Sequence, residues 1–247
     1  MATVLVATMP TMLGGCFPGV PDTQYPSLHA REPKTGAPYT FYVPSFYSND
    51  RDWPLAILLH GTYGFDSPDW QGDAWKDQAE KHGLIVAAPA LKSVQGILPV
   101  ASDQRQKDLE ADEQIILGVI DDMCAKYRID RQSVMMTGFS AGGYPLYFVG
   151  LRNPTKFQIL IAGAANSSKE IFGQIKVTPE VRNLRVAVIW GRDDLKLIQD
   201  ESWQAFEWLR TNRCRNAERL EIRGGHYRRP EVSYEVWARY LPERHRM

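Results

Sequence analysis

The chain has 247 residues, in which 29 Lys and Arg side chains balance 29 Asp and Glu side chains. Hydrophobic residues make up 44% and charged residues 23%, values typical of globular proteins and far from those of disordered, collagen-like or membrane-spanning chains. With no net charge, the protein has no field that would draw it onto nucleic acid. Length and composition therefore predict one packed domain that does not bind nucleic acid.

The first 16 residues are mostly apolar or small and end in Leu13-Gly14-Gly15-Cys16. This tetrapeptide resembles a bacterial lipobox, whose cysteine is lipidated when the leader is removed. No Lys or Arg precedes the apolar stretch, although secretory leaders normally begin with positive charge; a true start further upstream would explain the difference. We expect residues 1–16 to be a signal segment and Cys16 a lipid anchor in a bacterial envelope, with secretion or a cytoplasmic location as the alternatives.

Residues 17–38 contain five prolines and two glycines, which disfavour helices and central strands. We interpret this stretch as a tether and place the folded domain at residues 39–247. Because the whole chain has three cysteines, no disulfide framework is expected, and Cys124 and Cys214 are predicted to be free thiols.

Beyond residue 38, apolar runs alternate with segments of helical periodicity. The run Leu55-Ala56-Ile57-Leu58-Leu59 is continuous, as expected of a parallel strand covered by helices on both faces. The alternation predicts an α/β fold with a mostly parallel, doubly wound sheet. Strands are predicted at residues 39–43, 55–59, 84–88, 133–137, 158–162, 185–190 and 218–222, and helices at residues 69–81, 109–127, 201–212 and 232–240.

The most informative motif is Gly138-Phe139-Ser140-Ala141-Gly142. It follows the apolar run 134–136 and opens a second apolar stretch of helical character, which is the context of the G-x-S-x-G nucleophile elbow. A sharp strand-to-helix turn crowds the backbone, so the residues two before and two after the serine have to be small. Gly138 and Gly142 meet that demand. Ser140 is therefore the candidate nucleophile.

A serine hydroxyl needs a base to attack a carbonyl at neutral pH, and the base needs a carboxylate to orient it. After an elbow of this kind, the acid and then the histidine follow along the chain. Two histidines follow the elbow. His245 lies in the charged C-terminal tail, whereas His226 follows the last predicted strand and two glycines, so His226 is the candidate base. Asp193 and Asp194 follow the strand at 185–190, where one would orient the histidine while the other caps the next helix.

Attack on a carbonyl also requires donors for the oxyanion, usually two backbone N–H groups. Ala141, directly after the serine, supplies one. The second is expected from His60-Gly61-Thr62-Tyr63-Gly64, the loop after the strand at 55–59, where glycines allow backbone N–H groups to turn inward. Thr62 and Tyr63 are both candidates for that donor.

Taken together, these motifs resemble the α/β-hydrolase superfamily. They are, in chain order, Leu58-Leu59-His60-Gly61, the elbow with Gly143, Trp190-Gly191-Arg192-Asp193-Asp194 and Gly225-His226. Within the superfamily, the chain is similar to the poly(3-hydroxybutyrate) depolymerase and feruloyl esterase-like group. That similarity rests on Tyr127-Arg128-Ile129-Asp130 before the elbow strand and on the absence of a long insertion between Ala165 and Arg185.

The resemblance implies a domain without a large cap, in which Asp194 is the acid because the family pattern places it three residues beyond Gly191. It also implies a carboxylic ester hydrolase that forms an acyl-enzyme on small or polymeric esters, without metal or organic cofactor. Aromatic side chains expected near the cleft would line an acyl or aryl pocket or belong to the core. They are Tyr63, Phe65, Trp70, Phe139 and Tyr227.

Two alternatives to an esterase remain open. A peptidase or a thioesterase would use the same triad on the same fold. A non-catalytic envelope lipoprotein would keep the fold without the chemistry, because a fold does not dictate function. Ser140, His226 and an aspartate together favour an enzyme.

Overall fold

The computed structural model describes residues 26–95 and 103–246. The signal segment predicted at residues 1–16, with Cys16, and residues 17–25 of the predicted tether lie outside the described residues. Across the described part of the chain, no helix combines the length and the hydropathy that a bilayer span requires.

Within the described residues, an eight-stranded mixed sheet forms the centre of the molecule. The strands are β1 Leu28–Arg31, β2 Pro38–Tyr42, β3 Trp53–Leu59, β4 Ile85–Pro89, β5 Ile129–Ser140, β6 Ile159–Ala165, β7 Arg185–Gly191 and β8 Ala217–Ile222. They lie side by side in the order β1-β2-β4-β3-β5-β6-β7-β8. β1 pairs antiparallel with β2, and β2 pairs antiparallel with β4; the other neighbours are parallel. The mostly parallel sheet predicted from the apolar runs is confirmed.

Helices cover both faces of the sheet. The helices are α1 Pro68–His82, α2 Asp103–Lys126, α3 Gly143–Arg152, α4 Lys169–Phe172, α5 Pro179–Asn183, α6 Lys196–Thr211 and α7 Pro230–Ala238. Buried side chains of α2, α3 and α6 share one core with Leu55 and Ile57 of β3, and those of α1 and α7 share a second core with Ala56 and Leu58. Successive strand residues point to opposite faces. The continuous apolar run of β3 therefore serves both cores, and the predicted doubly wound arrangement is confirmed.

The structure differs from the sequence prediction at residues 26–38, where the proline-rich composition predicts a tether. Residues 28–31 form β1, the edge strand, and pair with β2. Buried Glu32 closes the turn between the two strands by accepting hydrogen bonds from the N–H groups of Lys34 at 3.0 Å and Thr35 at 2.6 Å. Pro38 is the first residue of β2, a position at which a strand tolerates proline. The folded domain thus includes part of the segment expected to be a linker.

The C-terminal tail also departs from expectation. His245, expected in a charged tail, is buried, and its Nε2 lies 2.8 Å from Oδ2 of Asp130 at the start of β5. Arg244 donates to the same oxygen at 2.7 Å, and the hydroxyl of Ser133 does so at 3.0 Å. His245 therefore fixes the tail to the end of β5 opposite Ser140, which removes it as a candidate base.

Candidate active site

Ser140 is the last residue of β5, and its φ of 51° lies in the left-handed region that non-glycine residues rarely adopt. α3 begins three residues later, at Gly143. A Cβ added to Gly138 would lie 2.5 Å from the carbonyl oxygen of Gly142, and one added to Gly142 would lie 2.5 Å from that of Leu59. The backbone passes so close to both positions that there is no room for a side chain, so both residues have to be glycine. This is the crowding predicted from the motif.

Asp194 and His226 meet at the carboxyl ends of β7 and β8. Oδ1 of Asp194 lies 2.8 Å from Nδ1 of His226; the carboxylate is buried and the histidine is partly exposed. Asp193 is exposed, and α6 begins after Leu195 without a side-chain cap. Of the two candidate aspartates, Asp194 is thus the one that contacts the histidine, and neither caps α6.

The loops that carry Asp194 and His226 are held together by their backbones. The N–H of Asp193 donates to the carbonyl oxygen of Gly224 at 3.0 Å. A Cβ added to Gly191 would lie 2.1 Å from that same oxygen, so the approach requires glycine. This contact keeps the histidine loop against the acid.

In the loop after β3, the backbone N–H groups of Thr62 and Tyr63 differ in whether they have a hydrogen-bond acceptor. The N–H of Tyr63 donates to the carbonyl oxygen of Val94 at 3.0 Å. Within residues 26–95 and 103–246, no group accepts a hydrogen bond from the N–H of Thr62, and the same holds for Ala141. Of the two residues considered for the second oxyanion donor, Thr62 is the one whose N–H is free.

His60 supports this loop. It is fully buried; its Nδ1 lies 2.8 Å from the carbonyl oxygen of Gly61, and its Nε2 accepts a hydrogen bond from the N–H of Leu91 at 3.2 Å. Burial lowers the pKa of His60, which favours the neutral ring.

Residues 91–94, here called the strap, are held by Asp112 of α2. The carboxylate of Asp112 accepts hydrogen bonds from the backbone N–H groups of Lys92 at 2.7 Å and Ser93 at 3.0 Å. Burial raises the pKa of Asp112 to about 6.

Ser140 and His226 line the same cavity, whose volume of about 660 Å³ suits a small-molecule site. Three of the five aromatic side chains expected near the cleft line this cavity, whereas Tyr63 and Trp70 do not and are exposed to solvent. Among the described residues, His, Cys, Asp and Glu side chains form no cluster that could hold a metal ion. The lining consists of Gly61, Thr62, Phe65, Asp66, Ala74, Phe139, Ser140, His226, Tyr227, Arg228 and Pro230.

Two charged residues of the cavity are not predicted from the sequence. Oδ1 of Asp66 lies 3.0 Å from Nη1 of Arg228, and 162 positions separate them along the chain. Asp66 precedes a predicted helix, and Arg228 lies in a basic stretch, so each has an ordinary surface interpretation. Their pairing arises only when the loops after β3 and β8 meet.

No family model and no curated protein matches the sequence. Solved structures do match the fold. A thermostable esterase matches over 90% of this chain and 61% of its own, with 18% identity and a TM-score of 0.60, so this chain spans less than two thirds of that protein. A ferulic acid esterase matches over 87% of this chain and 95% of its own, with 17% identity and a TM-score of 0.59. A fluorophosphonate-binding serine hydrolase of Staphylococcus aureus matches over 88% and 98%, with 16% identity and a TM-score of 0.63.

The fold follows from two observations. The solved structures match it, and the mostly parallel sheet is covered by helices on both faces. The chain has the α/β-hydrolase fold. At such low identity, the solved structures establish the fold alone. In this α/β-hydrolase domain, the connection from β6 to β7 holds the short helices α4 and α5, as expected for a domain without a large cap.

Gly142→Ala is expected to destabilise the protein by about 2 kcal/mol or more, because the new Cβ meets the backbone carbonyl oxygens of Leu59 and His60, which cannot rotate away. Gly163→Ala on β6 is the matched control, since a Cβ there meets nothing closer than 3.8 Å. The urea midpoint of unfolding measures both. Equal midpoints for the two variants would show that the elbow is not crowded.

Proposed function

We propose that the protein is a serine hydrolase that cleaves carboxylic esters, with Ser140 as nucleophile, His226 as base and Asp194 as the acid that orients the base. One observation carries the proposal: Ser140, at a φ of 51°, shares a cavity with His226, whose Nδ1 lies 2.8 Å from the buried carboxylate of Asp194. The solved neighbours named as esterases and as a serine hydrolase support the same class of reaction.

In the proposed mechanism, the contact with Asp194 holds the proton of His226 on Nδ1, which leaves Nε2 to accept the proton of Ser140. The serine oxygen attacks the ester carbonyl carbon, and the protonated histidine returns its proton to the departing alcohol, leaving an acyl-enzyme. Water then gives a proton to His226 and attacks the acyl carbon, and Ser140 recovers its proton as the acid departs. These side chains and water account for every proton and electron pair, so the mechanism needs no metal or organic cofactor.

The oxyanion donors in this mechanism are the N–H groups of Ala141 and Thr62. Both are free of other partners in the described residues, whereas the N–H of Tyr63 is occupied by Val94. α3 begins three residues after the serine, at Gly143, and the partial positive charge at its N-terminus favours the negative charge that develops on the substrate oxygen.

The cavity favours an ester over a peptide that has a free amine. Asp66 is the one carboxylate of the described lining, and each of its oxygens already accepts two hydrogen bonds. No lining carboxylate therefore remains for a substrate amine. The aromatic walls formed by Phe65 and Phe139 suit an apolar acyl or aryl group. In the described part of the chain, the connection between β6 and β7 holds two short helices and no large cap. Such a connection suits both small esters and the exposed ends of ester polymers.

We further propose export with a lipid anchor at Cys16, on the strength of the lipobox-like Leu13-Gly14-Gly15-Cys16. In a bacterial host with intact lipoprotein processing, Cys16→Ser should move the protein from the membrane fraction to the soluble fraction, because stable anchoring depends on the acyl chains. Identical fractionation of both forms would overturn this proposal without affecting the catalytic one.

Asp194→Asn is expected to lower kcat for p-nitrophenyl esters by about 10⁴ at a near-normal melting temperature, because an amide holds the histidine in the wrong tautomer. Asp193→Asn is the matched control: its side chain is exposed one residue away, and most of the turnover should remain.

The reverse pattern would assign the acid to Asp193. Assays of the wild-type protein on aminoacyl-nitroanilides and thioesters complete the experiment. A preference for either over p-nitrophenyl esters would replace the ester assignment with a peptidase or a thioesterase. Absence of turnover on all three would favour the non-catalytic lipoprotein.

A further inference from the structure

The side chain of Asp66 is 2% exposed and is hydrogen-bonded at both oxygens. Oδ2 accepts hydrogen bonds from the N–H of Gly61 at 2.7 Å and from Nε2 of Gln71 at 2.7 Å. Oδ1 accepts hydrogen bonds from the N–H of Ser67 at 2.8 Å and from Nη1 of Arg228 at 3.0 Å. Two donors at each oxygen offset the large cost of burying the carboxylate, which leaves it little freedom to move.

These donors come from three different parts of the site. Gly61 belongs to the loop after β3 and precedes Thr62, the proposed oxyanion donor. Ser67 and Gln71 belong to the start of α1, where Ser67 caps the helix. Arg228 follows the proposed base His226 by two residues. A single carboxylate thus joins two catalytic loops to one end of a 15-residue helix.

The position of Gly61 shows why this junction matters for Ser140. A Cβ added to Gly61 would lie 3.1 Å from the Cβ of Ser140 and 3.3 Å from Oδ2 of Asp66. The backbone of Gly61 is therefore held between the nucleophile and the Asp66 carboxylate. Movement of Asp66 would shift the loop relative to Ser140, and displacements of about 1 Å are enough to cost about 10²-fold in rate.

We propose that Asp66 is a positioning residue, which acts through Gly61 to place the N–H of Thr62 and through Arg228 to place His226. The inference rests on the proposed function and deepens it, because it names what holds the oxyanion loop and the histidine loop at the distances that Ser140 requires. Arg228 has a positioning role as well, because it is the residue through which Asp66 holds the histidine loop.

The test compares Asp66→Asn with the wild-type protein on p-nitrophenyl esters. In the variant, an amide N–H₂ replaces one carboxylate oxygen and faces donors, and Arg228 loses its charged partner. We expect kcat to fall about 10²-fold with KM changed by less than about threefold, since positioning acts on the transition state rather than on substrate binding. Asp52→Asn is the matched control, because Asp52 also pairs with an arginine, Arg128 at 2.7 Å, but in an exposed position. It should keep the wild-type kcat.

Arg228→Gln separates the effect of the contact between Asp66 and Arg228 from that of the contact between Asp66 and Gly61. It leaves the bond from Gly61 to Asp66 in place, so its loss of kcat should be smaller, about tenfold. Adding Arg228→Gln to Asp66→Asn should cost little more than Asp66→Asn alone, because both substitutions break the same contact. Losses that multiply in the double variant would overturn the assignment of Arg228.

The positioning role is overturned if folded Asp66→Asn keeps kcat within about twofold of the wild-type value. A rise in KM at unchanged kcat would also overturn it, in favour of a substrate-binding residue. If Asp66→Asn does not fold, Arg228→Gln decides, and a wild-type kcat there rejects the proposal. Wild-type protein without ester turnover would reject the proposed function itself, whereas equal turnover in wild type and Asp66→Asn would reject the positioning role alone.

Discussion

The strained turn at Ser140 is the constraint on which the site depends. A non-glycine residue in the left-handed region costs about 1–2 kcal/mol, so the surrounding structure has to hold it there. β5 does so from the middle of the sheet, between β3 and β6, with cores on both faces. Each large apolar side chain buried in those cores contributes about 1.5–3 kcal/mol, which offsets the strain. Gly138 and Gly142 let the backbone close around the serine without further cost.

Parallel strands bring the remaining groups to the same edge of the sheet, because the loops after β3, β7 and β8 all leave from carboxyl ends. Polar contacts then hold these loops to one another and to the strap. Tyr63 is bonded to the strap, the backbone of Asp193 to Gly224, and Asp66 to Arg228. The proposed oxyanion donor, acid and base are therefore placed before any substrate arrives, which is the condition for electrostatic stabilisation of a transition state.

The central strands and the elbow could be predicted because their signals are local: a continuous apolar run, or two glycines around a serine. The edge strand β1 could not, because only its pairing with β2 distinguishes it from a proline-rich linker. The burial of His245 depends on Asp130, 115 positions away, and the pairing of Asp66 with Arg228 spans 162. The choice of Thr62 over Tyr63 likewise required a distant carbonyl in the strap. Contacts between remote positions leave no pattern in a single sequence.

The most direct test of the central claim is to locate the residue that a fluorophosphonate modifies. Trypsin cleavage after Arg131 and Arg152 releases residues 132–152, which contain Ser133 and Ser140. Because Ser133 is buried on β5 seven residues before Ser140, it serves as an internal control within the same peptide. Fragmentation of that peptide should place a single adduct on Ser140, and Ser140→Ala should remain unlabelled. An adduct on another residue, or labelling of Ser140→Ala at the wild-type rate, would contradict the account.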